Sequence, residues 1–121
     1  EEKRRERALL VRYPNRSVHD KERSEALAQI SVVRQAALNR VKELQRQRRE
    51  LDTELEFYAQ DPNKIPPSLR RLVEDNEKSM AVQERFIADQ EAEMGRVNAR
   101  FDEELQRLQQ LWAQIAAPAT N

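Results

Sequence analysis

Few residues in this chain carry acid–base or ligand chemistry. His19 is the only histidine among 121 residues, and there is no cysteine. Paired carboxylates occur at Glu54 and Glu56, Glu91 and Glu93, and Glu103 and Glu104. A carboxylate pair can act as general acid and base only where burial or a neighbouring charge separates the two protonation equilibria. These pairs lie in stretches dense with arginine, so they read as solvated helix faces. His19 has Asp20 and Glu22 beside it. One imidazole and two adjacent carboxylates fall short of the converging ligand set that zinc requires, and the spacing predicts an exposed histidine close to a helix start. The basic run Arg40, Lys42, Arg46, Arg48 and Arg49 could contact phosphates, yet Glu43, Glu50 and Asp52 interrupt it. Residues 17–60 carry eight basic and eight acidic side chains, whereas a nucleic-acid surface is normally net basic. No phosphate loop, nucleophile elbow or zincin helix is present. The expected catalytic, cofactor and metal sets are therefore empty, with no small-molecule substrate and nucleic acid disfavoured.

The elements that hold these residues announce themselves through composition. Charged residues make up 36% of the chain, the formal net charge is zero, and Ala, Glu, Lys, Leu and Arg supply more than half of all positions. Such a mixture with a helical period points to long helices or coiled coils, which excludes an α/β enzyme, a β-sandwich or a dinucleotide-binding domain. The single glycine is Gly95, and the prolines fall at Pro14, Pro62, Pro66, Pro67 and Pro118. Large apolar residues are too few for a thick globular core. No apolar run approaches the roughly 20 residues of a membrane-spanning helix, so no transmembrane segment is expected. The absence of cysteine excludes a disulfide framework and leaves the compartment open. Because the first residue, Glu1, already lies within a charged helical pattern, the chain is expected to be a fragment or a processed product.

The breakers divide the chain. Residues 1–14 are expected to form a short N-terminal helical segment ended by Tyr13–Pro14, because proline disfavours the helical region for the residue before it. Ser17 and Asp20 have the spacing of a capping box, which predicts Ser17 as N-cap and a helix over 18–60. Residues 61–67 hold three prolines and form a turn. A second helix is expected over 67–117, and 118–121 as a disordered tail. A connection this short joining two long helices gives an antiparallel hairpin over 15–117. Folding about residue 64 sets Tyr58 beside Leu69, Val41 beside Phe86 and Ile87, and Leu27 beside Phe101. Trp112 then lies near Tyr13 and Pro14, where residues 1–12 could fold back through Leu9, Leu10 and Val11.

Heptad spacing defines the expected seam. On the first helix it comprises Leu27, Ile30, Val41, Leu44, Leu51 and Leu55. On the second it comprises Leu69, Val73, Met80, Ile87, Met94, Val97, Phe101 and Leu108. The column through Val73, Met80, Ile87, Met94, Phe101, Leu108 and Ile115 is apolar at every step, which implies a partner helix along its length. The companion column is polar at Asn76, Gln83, Gln90 and Glu104. Val33, Phe57, Leu72, Phe86, Leu105 and Trp112 stand beside the seam and widen the apolar face beyond what two helices need. Either the short third helix covers them, or two hairpins dimerise into a four-helix assembly. Entropy bookkeeping for small scaffolds favours the dimer. Arg46–Glu50, Arg48–Asp52, Arg71–Asp75, Glu74–Lys78, Arg85–Asp89 and Glu103–Arg107 have the spacing of intrahelical ion pairs.

Three stretches also resemble a known group: RALLVRYPN at 7–15, HDKERSEALAQI at 19–30 and RFIADQEAEMGRVNARFDEELQRLQQLWA at 85–113. They resemble the C-terminal coiled-coil region of uncharacterised proteobacterial envelope proteins that carry a signal peptide and a small N-terminal domain of unknown function. The resemblance implies a periplasmic or envelope location and an envelope protein as possible partner, and it assigns no functional residue. The fold expected is all-α, a long antiparallel two-helix coiled-coil hairpin with a short N-terminal helix, working as a homodimer. Its expected role is a non-enzymatic structural or protein-interaction module. A holdase-like periplasmic chaperone is the alternative, and a nucleic-acid-binding helical protein a lower one.

Overall fold

The computed structural model describes residues 1–117, and the tail expected at 118–121 lies outside the described residues. Three α-helices follow in order: α1 (Glu2–Arg12), α2 (Arg16–Glu56) and α3 (Pro67–Ala116). A 3-10 turn at Pro62–Lys64 precedes α3, and there is no strand among the described residues. The two long helices pack against each other as an antiparallel helical hairpin.

The chain ends each helix where local chemistry requires. Tyr13 leaves the helical region with φ −126° and ψ 80°, its N–H still donating to Leu9 O at 2.8 Å, as expected for a residue ahead of proline. The next helix starts at Arg16, two residues before the expected Val18. Its cap is Asn15, whose Oδ1 accepts from Val18 N–H at 3.1 Å. Ser17 is therefore not the N-cap, because Asn15 takes that role two residues earlier. The same helix stops at Glu56 rather than Gln60. Residues 57–59 tighten into i→i+3 bonds, including Tyr58 N–H to Leu55 O at 2.9 Å, as the chain approaches Pro62. Pro66 O accepts from Arg70 N–H at 3.1 Å and Pro67 opens α3, a position where its missing N–H costs nothing. Arg70 Nη2 donates to Pro62 O at 3.1 Å and ties the turn to the helix that follows.

Two compact units divide the chain. One spans Ser31–Glu91 and holds the turn with the adjoining parts of α2 and α3. There Arg48 Nη1 meets Glu77 Oε1 at 2.7 Å and Arg34 Nη2 meets Glu91 Oε1 at 3.0 Å. The other contains Glu1–Ile30 with the chain from Ala92 onward. There Arg23 Nη1 meets Asp102 Oδ1 at 2.8 Å. These pairs place the fold-back point near residue 62, slightly earlier than residue 64.

Candidate functional site

Within the unit formed by Glu1–Ile30 and the chain from Ala92, the junction of the three helices is built around Tyr13 and His19. His19 is fully buried, which corrects the expectation of an exposed histidine. With α2 starting at Arg16, counting back by fours from Leu27 through Arg23 carries the seam to position 19. Its Nε2–H donates to Glu104 Oε1 at 2.8 Å, while Nδ1 has no partner among the described residues. The imidazole packs edge-on against Tyr13, with ring centroids 4.7 Å apart, and against Phe101 at 5.3 Å. Tyr13 is 1% exposed. Burial, aided by its side-chain hydrogen bond to Glu22, pushes the phenol up to about 12. Burial would raise the Glu22 carboxyl, but hydrogen bonds from Arg12 and Tyr13 outweigh it and hold the group below its usual value. Arg12 is raised in turn, chiefly by its hydrogen bond to Glu22.

The same junction anchors α1. Trp112 Nε1–H donates to Tyr13 O at 3.0 Å, and Arg107 pairs with Glu2 at 3.9 Å and with Glu6. Leu9 and Leu10 are half-buried, whereas Val11 is 83% exposed and takes no part, contrary to its expected place in this contact. A His–Glu pair is a familiar acid–base unit, but His19 has no surface to offer a substrate. The cluster's chemistry is positional: it joins α1, α2 and α3 through directional bonds among buried rings.

The second candidate is a surface on the unit Ser31–Glu91. Phe57 is 85% exposed, Val82 64%, Leu72 54%, Val33 44% and Phe86 37%. Phe57 and Leu72 line one groove with Glu54 and Leu69, and Leu72 lines the next with Arg40, Gln47 and Ser79. Ser79 adjoins Val82, and Val82 adjoins Phe86. One continuous face therefore runs from the turn along both helices. Four of the six residues expected at a partner interface, Val33, Phe57, Leu72 and Phe86, lie in this unit; Val82 is an addition to them. Leu105 and Trp112 belong to the other unit and are half-buried there.

Among the expected seam residues, Leu44, Leu69, Val97, Phe101 and Leu108 are buried. Leu27, Ile30, Val41, Leu51 and Leu55 on α2 are half-buried, as are Val73, Met80, Ile87 and Met94 on α3. Ala37 and Leu111, which stand at heptad spacing on the two long helices, are buried as well, as is Tyr13, while Asn76 is read from the sequence only as a polar interruption. Asn76 is 6% exposed and its Nδ2 donates to Leu44 O at 2.9 Å. The signal for it was present: polar residues at seam spacing demand specific partners when the seam closes.

Among the described residues no helix is long and apolar enough to cross a membrane, and no group of three or more His, Cys, Asp or Glu side chains is placed to hold a metal ion. No protein-family model, curated protein or solved structure matches the chain.

Proposed function

We propose that this protein is a non-enzymatic helical-hairpin interaction module that self-associates, two hairpins closing into a four-helix assembly. The carrying observation is the face on Ser31–Glu91 along which Phe57, Leu72 and Val82, each more than half exposed, line adjoining grooves. Large apolar side chains lined up in this way mark association surfaces, while isolated ones do not. Envelope location and an envelope partner rest on the sequence resemblance.

Sedimentation equilibrium of the Phe86→Glu variant tests the reading. The substitution is expected to weaken the dimer by about tenfold or more, since it buries a charge at an interface. Gln45→Glu, at an exposed position two residues from Gln47 and so on the other side of α2, leaves it nearly unchanged. Equal effects at the two positions would sink the assignment of the face.

A holdase-like reading draws on one observation, the exposure of Phe57 beside the turn. Suppression of aggregation of an unfolded client, lost on Phe57→Ser, would favour it over self-association.

A further inference from the structure

The exposed face of Ser31–Glu91 carries a second regularity besides its apolar side chains. On α2, Arg40, Gln47 and Glu54 are spaced by seven and lie along one groove. On α3, Leu72, Ser79 and Phe86 are also spaced by seven, and Leu72 and Ser79 line that same groove. The α2 column is antisymmetric in charge about its centre and the α3 column symmetric in size. The α2 column runs positive, neutral, negative, and the α3 column runs large, small, large. Both centres, Gln47 and Ser79, stand at the same groove. Arg40 and Glu54 have no ion-pair partner among the described residues, although Arg46 and Arg48 on the same helix are paired.

We infer that a second copy of this chain binds the face about a two-fold axis crossing it at Gln47 and Ser79, with α3 antiparallel to the partner α3 and α2 to the partner α2. This rests on the proposed self-association and specifies its geometry. The operation sets Arg40 against Glu54 of the second copy twice over, and Leu72 against Phe86 twice over. It also sets Ser79 against its equivalent, where a small side chain lets the helices approach. An isologous interface requires this kind of self-complementarity. The same rotation brings Glu43 toward Glu50 of the second copy, a contact that bare carboxylates would resist. Arg46 answers both: its Nη2 meets Glu43 and its Nη1 meets Glu50, each at 2.5 Å. An axis running along the helices would instead lay α3 over the partner α2, leaving Arg40 and Glu54 far apart.

Charge reversal tests the register because one chain supplies both partners. Arg40→Glu and Glu54→Arg alone are each expected to weaken dimerisation about tenfold at low salt, as two exposed pairs become repulsive. The double variant should return to within about twofold of the native chain. Circular dichroism checks that every variant stays helical. The chain has no cysteine, so single cysteines report independently. Ser79→Cys should form a disulfide with its own copy on oxidation. Leu72→Cys alone should not, because its two copies stand about 20 Å apart at 1.5 Å rise per residue. An equal mixture of Leu72→Cys and Phe86→Cys chains should cross-link. A chain that dimerises while the double variant stays as weak as the single ones, or in which Leu72→Cys links to itself, overturns the register and leaves self-association standing. A chain that stays monomeric overturns both.

Discussion

Asn76 occupies a seam position where leucine would pack, and it instead donates to the Leu44 carbonyl at 2.9 Å while 6% exposed. A single polar residue in an apolar seam holds register at a cost in stability. Asn76→Leu is therefore expected to raise the unfolding free energy by about 1 kcal/mol in urea titration; a loss of that size would show that the amide is kept for stability. Tyr13 and Glu22 set the pH limits of the helix junction. The folded-state phenol lies near 12, above its unfolded value of about 10. Its contribution is fully present below pH ~10 and disappears as pH rises to about 12, an effect of about 2–3 kcal/mol for a buried phenol. Glu22 is lowered, so its contribution is present above about pH 4.3 and is lost as pH falls through its folded value. Stability measured against pH should fall less steeply between pH 10 and 12 in Tyr13→Phe than in the native chain, and an unchanged slope would contradict the assignment. His19 shows where residue-level reading stopped. Its identity was plain, but its burial depended on α2 starting at Arg16 and carrying the seam through Arg23.

At the scale of elements, proline and glycine positions made the three helices and the turn legible in the sequence, and heptad spacing made the hairpin legible. What escaped was the detail at helix ends. Asn15 and Ser17 can both cap a helix, and the choice depends on where Tyr13 leaves α1. Asp61, directly ahead of Pro62, leaves the helical region at φ −145° and ψ 75°, and the turn before it closes with i→i+3 bonds. Intrahelical charge spacing was also only partly informative. Arg46–Glu50 and Arg48–Asp52 close as ion pairs, whereas Arg107 turns to Glu2 and Glu6 of α1. Gly95 supplies a test at this scale. It lies inside α3, no atom stands within 4 Å of where a Cβ would be, and its φ is negative. Gly95→Ala should therefore stabilise the fold by about 0.5–1 kcal/mol. A lower thermal midpoint in circular dichroism would mean the glycine serves a contact outside this chain.

For the molecule as a whole, the unresolved demand of the sequence was an apolar face wider than one seam, and Leu105 and Trp112 turned out to be half-buried in the unit that includes Glu1–Ile30. The demand that remains falls on Ser31–Glu91, where Phe57, Leu72, Val82 and Phe86 line the surface. Composition could not separate these two groups, because coverage of Trp112 depends on where Tyr13 places its carbonyl. Self-association is thus the central claim, and the mass of the protein in solution tests it most directly. Light scattering after size exclusion, over a micromolar concentration series, is expected to give twice the 14.3 kDa chain mass. A constant mass of 14.3 kDa across that series would contradict the account.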